Sequence, residues 1–182
     1  MTTQYYTATS IDGFIADSDN SLEWLLQFGD GSGTAYEEFI DGVGAIAMGS
    51  TTYEWLLEHH IFADPDRPKP WDYEQPSWVF SSREQRRVGG ADIRFVNGDV
   101  ASVHAEMLEA AAGKNIWIVG GGDLAGQFHD QGLLDEILLS VAPVTLGGGA
   151  PLLPRRIATP PMRLTSATVD GAFALLRYSV RG

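Results

Sequence analysis

Asn115-Ile-Trp-Ile-Val-Gly-Gly-Gly-Asp-Leu-Ala-Gly-Gln-Phe128 is the stretch that decides the fold class of this chain. Its apolar run, Ile116 to Val119, reads as a buried strand. Gly120, Gly121 and Gly122 follow, and Asp123 to His129 reads as the first turns of a helix. A strand that turns through glycine into a helix aims backbone N–H groups at one point. That point, at the positive end of the helix, suits an anion. A missing Cβ lets a phosphate approach the backbone. The glycines alone read equally as a tight strand-to-helix turn without a ligand.

Outward from this unit the same alternation repeats. Tyr5 to Thr9 reads as a first strand, and Asp12-Gly13 marks a turn. Phe14 to Ala16 runs away from it. Ser21 caps a short helix through Leu22, Leu25 and Leu26, and Tyr36 to Ile40 gives another helical stretch. Val43 to Met48 is a strand, followed by a helix carrying Tyr53, Trp55, Leu56 and Leu57. Phe62 to Pro76 is a proline-rich loop. Ser77 to Phe80 and Ile93 to Val96 are further strands. Val100, Val103, Met107, Leu108 and Ala111 share one helix face. Glu136 to Ala142 is a strand, and Thr145 to Pro154 a Gly/Pro loop. Arg163 to Val169 and Phe173 to Val180 flank Asp170-Gly171, the strongest hairpin signal in the chain. Strands alternating with helices require a parallel sheet with right-handed crossovers and helices on both faces. The expected fold is therefore α/β, a three-layer sandwich with a mostly parallel central sheet and a C-terminal antiparallel hairpin. Its 182 residues form one domain.

Composition narrows the function. The formal net charge of −12 opposes a nucleic-acid footprint. A small anionic ligand stays compatible, because a local nest of N–H groups can outweigh the overall field. The chain has no cysteine, which removes disulfides and thiolate chemistry. The N-terminus has no signal-peptide pattern and no stretch approaches a membrane span, so a cytoplasmic protein is expected.

Three strand exits share one design: Met48-Gly49-Ser50-Thr51-Thr52, Phe80-Ser81-Ser82-Arg83 and Val119-Gly120-Gly121-Gly122. In an open parallel sheet they lie on the carboxyl edge, where such sheets bind ligands. Together they fit an extended polyanion such as a dinucleotide. Ser and Thr are also ordinary helix caps. The Rossmann fingerprint fits poorly, because the glycines follow the fifth strand and no acid ends the next one. No Walker loop occurs. No metal site is expected, since His59 and His60 point apart on a helix and His104 and His129 are solitary. Asp12, Asp17, Asp19 and Glu23 follow the first strand. A carboxyl group there can act in proton transfer if its pKa is raised, although Asp-Gly is also a plain turn pair. Trp24 and Trp55 read as core or as stacking surfaces.

Taken together, Ser10-Ile-Asp-Gly-Phe-Ile-Ala16, Met48-Gly-Ser-Thr-Thr-Tyr-Glu54, Val79-Phe-Ser-Ser82, Ile116 to Leu124, Leu134-Asp-Glu136 and Ala142-Pro-Val-Thr-Leu-Gly-Gly-Gly149 resemble the dihydrofolate reductase-like superfamily. The nearer resemblance is to the C-terminal reductase domain of the bifunctional riboflavin biosynthesis protein. It implies NADPH and hydride transfer to a pterin- or pyrimidine-like substrate, commonly in a homodimer. By position it implies that Ala8 and Ile15 flank the nicotinamide. Gly49, Ser50, Thr51 and Thr52 meet the pyrophosphate and adenosine end, and Ser81, Ser82 and Arg83 the adenosine ribose. Gly120, Gly121, Gly122, Asp123 and Leu124 cover the pyrophosphate. Asp12 matches the acid beside the reducible ring, and Glu23 is the second catalytic candidate. The chain departs from the pattern at Ser50 and Asp123, where folate reductases often carry a base. Arg83 is then the clearest partner for a 2′-phosphate. Val119 stands where riboflavin reductases usually carry an acid. The alternative is a non-catalytic nucleotide-binding module of the same fold. Loops Asp17 to Thr34 and Ile61 to Pro76 shape the pocket and leave the substrate open.

Overall fold

The computed structural model describes residues 1–29 and 34–181. Residues 30–33, within the first of the two pocket-shaping loops, lie outside the described residues. The strands are β1 (Thr3–Thr9), β2 (Phe14–Ala16), β3 (Val43–Gly49), β4 (Ser77–Phe80), β5 (Ile93–Val96), β6 (Asn115–Gly120), β7 (Glu136–Val141), β8 (Ala150–Pro151), β9 (Arg163–Asp170) and β10 (Phe173–Ser179). The helices are α1 (Glu23–Leu26), α2 (Thr34–Asp41), α3 (Ser50–Leu56), α4 (Val100–Ala110) and α5 (Gly122–Asp130). A wider π turn, Leu57–Ile61, extends α3.

Eight strands form one sheet in the order β5-β4-β3-β6-β1-β7-β10-β9. All pairs from β5 to β7 are parallel, and β10 pairs antiparallel with both β7 and β9. The α/β architecture with a C-terminal antiparallel hairpin is as expected. Gly171 turns that hairpin with φ +56°, a region open to glycine.

The sheet separates two apolar layers. Tyr5, Ala45, Ile116 and Ile118 pack under Val100, Met107 and Ala111 of α4 and Phe128 of α5. This is the face that the α4 periodicity describes. Ile46, Met48, Val79 and Trp117 pack on the other side with Tyr53, Leu57 and Ile61. Burying a large apolar side chain contributes about 1.5–3 kcal/mol. These layers hold the strand termini in place.

Two features differ from the expectation. The connection from β4 to β5 contains no helix, and the strands still pair in parallel. β2 leaves the main sheet and pairs with β8 in a separate two-stranded ribbon, inside what reads in the sequence as one loop. Gly149 (φ +129°) packs against Ala16 and Asp17 backbone too closely for a Cβ.

Candidate functional site

The sheet order places β4, β3 and β6 side by side. Gly49 pairs with Phe80 and Met48 with Gly120, so the three glycine and hydroxyl exits end at one level. The convergence inferred from sequence is therefore present in space. Both helices that leave this edge start without a side-chain cap. Gly49 precedes α3 and Gly121 precedes α5 in extended backbone, and a glycine has no side chain with which to cap the helix start. Helix starts of this kind present N–H groups to an anion.

The three glycines have different jobs. A Cβ on Gly121 would meet nothing within 4 Å. Its backbone faces open space, as a phosphate-cradling residue requires. A Cβ on Gly120 would lie 3.0 Å from Thr52 Oγ1, which locks the α3 start to the β6 exit. Gly122 lies against the Pro151 and Leu152 carbonyls with no room for a Cβ. Packing against β8, more than ligand approach, demands glycine there. The Gly120–Gly121 peptide is cis.

Other expected cofactor residues separate by environment. Ser50 and Thr52 are half-buried and Thr51 is exposed on the first turn of α3. Ala8 is half-buried on β1 opposite Ser140, and Ile15 is half-buried on β2. Ser81 Oγ accepts from Arg83 N–H at 3.0 Å and donates to the Arg83 carbonyl at 2.9 Å, which shapes the exit of β4. Ser82 and Arg83 are exposed. The guanidinium of Arg83 is engaged: Nη2 lies 2.9 Å from Glu54 Oε1. Arg86 and Arg87 share this loop, and Arg86 lies over the Phe62 ring at 3.3 Å. The sequence signal for all three was one short run with three arginines, of which only Arg83 was singled out.

Two of the expected cofactor residues have side chains engaged by the protein itself. Leu124 is 5 % exposed and belongs to the core, so only its backbone can face a ligand. Asp123 turns its carboxylate to Gln127 Nε2 at 2.9 Å and Arg155 Nη1 at 3.0 Å. The hydrogen bond from Gln127, with the help of Arg155, lowers its pKa. Arg155 also binds Asp130 at 2.7 Å and crosses α5 over Gly126. Asp123 is thus a tether for the Leu152–Arg155 segment.

The two catalytic candidates sit in different surroundings. Asp12 Oδ1 accepts from Ser10 Oγ at 2.6 Å, and Oδ2 accepts from Gly147 N–H at 2.7 Å. Leu146 N–H adds bonds of 3.0 and 3.2 Å. These donors, Ser10 first, hold the carboxyl down at about 2. That is the wrong direction for a group that must donate a proton near neutral pH. Asp12 instead ties the β1 exit to the loop after β7. Ile11 N–H to Val144 O (2.8 Å) and Leu152 N–H to Gly13 O (2.9 Å) continue the same seam. Glu23 is exposed at the start of α1, where Ser21 Oγ accepts from its backbone N–H at 3.1 Å.

Trp24 is buried, whereas half-buried Trp55 stacks on His59 at 4.8 Å. His104 Nε2 is 2.9 Å from Thr3 Oγ1 and His60 Nε2 is 2.9 Å from Asp72. These histidines have structural partners. A cavity of about 730 Å³ lies beside α2 over β7, β10 and β9, and sequence reasoning missed it. Glu38, Glu136, Arg163 and Arg177 are its charged lining residues.

The RibD C-terminal domain model matches residues 2–175. Uncharacterized protein YwjB of Bacillus subtilis (strain 168) is 30% identical over 176 residues, covering 97% of this chain and 96% of its own. A Shewanella sp. PV-4 structure named for riboflavin biosynthesis superposes with a TM-score of 0.80 at 24% identity, covering 98% of each chain. A Thermotoga maritima diaminohydroxyphosphoribosylaminopyrimidine deaminase/5-amino-6-(5-phosphoribosylamino)uracil reductase superposes with a TM-score of 0.63 at 14% identity. The match covers 98% of this chain and 56% of that one. The fold is dihydrofolate reductase-like: an Enterococcus faecalis dihydrofolate reductase superposes with a TM-score of 0.60 at 16% identity, covering 98% of this chain and 95% of that one.

Proposed function

The chain belongs to the RibD C-terminal domain family, and from that premise we propose that it is an NADPH-dependent reductase acting on a pterin- or pyrimidine-like small molecule. One observation carries this reading. The exits of β4, β3 and β6 stand side by side, with an open Gly121 and two helix starts that lack side-chain caps. Those groups suit a dinucleotide's phosphates. NADPH, when bound, supplies the hydride. The protein's part is to hold, orient and exclude water.

In this reading Gly49 to Thr52 and Gly120 to Gly122 bind the pyrophosphate through backbone N–H and hydroxyl groups. Ser81, Ser82 and Arg83 hold the adenosine ribose and its phosphate. Ala8 and Ile15 flank the nicotinamide. Asp12 stays ionised and fixes the loop over the β1 exit, which leaves Glu23 or water to deliver the proton. Hydride and proton together reduce one unsaturated bond of the ring. A fluorescence titration with NADPH and NADH tests the cofactor assignment. Saturable quenching is expected, and no response to either would remove it.

A second reading is a nucleotide-binding module without turnover. The full hydrogen-bond complement of Asp12 favours it, because the acid nearest the β1 exit is committed to structure. Stereospecific oxidation of NADPH by any pterin or pyrimidine excludes it.

A homodimer is part of the proposal. All eight residues of the edge strand β9 are exposed, Val169 to 81% and Leu164 to 52%. A bare edge of this kind pairs readily with its own symmetric copy. Sedimentation at micromolar concentration gives the mass directly, and a monomer would refute this element.

A further inference from the structure

Three residues of α5 fall on one stripe: Asp123, Gly126 and Asp130, at i, i+3 and i+7. Two acids flank a glycine there. Asp130 ends the helix, where an acid opposes the helix dipole. The Arg155 side chain accounts for both choices, because it lies along the stripe. Its Nε is 2.7 Å from Asp130 Oδ2 and its Nη1 is 3.0 Å from Asp123 Oδ1. A Cβ on Gly126 would come within 2.7 Å of its Cζ. The stripe is therefore a slot for one guanidinium, and the side chain in it is only 23% exposed.

Arg155 closes a segment that lies between two parts of the expected cofactor site. On one side, the Pro151 and Leu152 carbonyls press on Gly122. On the other, the same residues hold β2. Leu152 N–H donates to Gly13 O at 2.9 Å, and Pro151 and Ala150 pair with Phe14 and Ala16. Ile15 stands between those two pairs. The Leu152 carbonyl also accepts from the hydroxyl of buried Tyr5 at 3.0 Å. Among the described residues, β2 pairs with β8 and with no strand of the main sheet. Apart from the turn at Ser10 that joins it to β1, its place relative to the glycine turn is set by residues 150–155. Arg155 fastens the end of that segment to α5.

We propose that Arg155 is a positioning residue: by seating residues 150–155 on α5 it fixes the spacing between the Gly120–Gly122 cradle and the β2 strand that carries Ile15. It acts through the backbone of that segment and not by contact with the cofactor. The inference rests on the cofactor reading above and adds to it a residue outside the pocket. A dinucleotide that reaches from the cradle to Ile15 meets both at one spacing, and holding that spacing in advance raises affinity. Hydride transfer gains from the same alignment. The adenosine end is independent of it. Among the described residues, the exits of β3 and β4 make no hydrogen bond to residues 150–155.

Arg155→Met keeps an unbranched side chain and removes its bonds to both acids. Fluorescence titration of this variant compares NADPH with 2′,5′-ADP, which has the adenosine end alone. NADPH is expected to bind about fivefold or more weakly than to the parent, and 2′,5′-ADP within about twofold of it. Asp130→Asn, which weakens the anchor at the far end of α5, should shift NADPH in the same direction. Unchanged NADPH affinity in both variants, or equal weakening of both ligands, overturns the proposal. Amide hydrogen exchange of the free protein reports without any ligand. In Arg155→Met the Leu152 amide, bonded to Gly13, and the Ala125 amide, bonded to Gly121 at 3.2 Å, should exchange faster together. Ile118, in the core of β6, should exchange as in the parent. A Leu152 amide as slow as the parent's shows that the segment is held without Arg155 and overturns the proposal too. A parent that binds neither ligand removes the cofactor reading, and the exchange comparison still decides whether Arg155 sets the spacing.

Discussion

The Asp12 carboxylate receives the backbone N–H of Gly147 at 2.7 Å, bridging the end of β1 and the loop after β7 across 135 positions of sequence. Ser10 and Leu146 complete its hydrogen-bond set. The residue that the resemblance points to as a proton-transfer group is a loop anchor in the structure.

Its ionisation makes the anchor sensitive to acid. The folded carboxyl titrates at about 2, below its ordinary value of 3.8. Its stabilising effect is therefore fully present above pH ~4 and fades as the pH falls toward 2. Asp12→Asn should lower the melting temperature at pH 7, and the gap to the parent should close on acidification. Thermal melts from pH 7 to pH 2 measure this. A gap independent of pH would show that Asp12 acts through packing alone.

Gly121 and Gly122 should separate binding from folding. Gly122→Ala forces a methyl against the Pro151 and Leu152 carbonyls, and overpacking of this sort costs about 1–3 kcal/mol. Gly121→Ala points its methyl into open space. It should unfold close to the parent while losing roughly tenfold in NADPH affinity, about 1.4 kcal/mol. Urea denaturation and fluorescence titration of both variants decide it. A Gly121→Ala protein that binds NADPH normally contradicts the assignment of the cradle.

Glu54 competes for Arg83 in the free protein, with 2.9 Å between them. Charge-assisted guanidinium–phosphate bonds contribute about 1.5–3 kcal/mol. Arg83→Ala should accordingly narrow the preference for NADPH over NADH by tenfold or more. Glu54→Gln should widen it, because the guanidinium is released from its partner. Dissociation constants for both cofactors suffice as the measurement. An unchanged ratio in both variants assigns 2′-phosphate recognition elsewhere.

Legibility in the sequence followed locality. Met107 and its partners mark α4 through spacing alone, and Asp170-Gly171 marks the hairpin through turn chemistry. The three exits were visible as Gly/Ser/Thr clusters, and a parallel sheet put them on one edge. Contacts between distant segments were not visible. β8 is two residues long and owes its existence to Phe14 and Ala16 on β2. Gly122 and Gly149 reveal their packing roles only when the Pro151 carbonyl and the Ala16 backbone arrive. Asp12 illustrates the limit at the site itself: an Asp-Gly turn pair carries no sign of the N–H groups that will saturate it. The π turn at Leu57–Ile61 has no signature in its residues either.

The central claim is that one cofactor lies across the exits of β4, β3 and β6. Amide hydrogen exchange or two-dimensional NMR of the protein, with and without NADPH, addresses it most directly. The account predicts saturable changes at Gly49–Thr52, Ser81–Arg83 and Gly120–Leu124, all following one binding curve. Changes confined to other segments, or none at saturating NADPH, would contradict it.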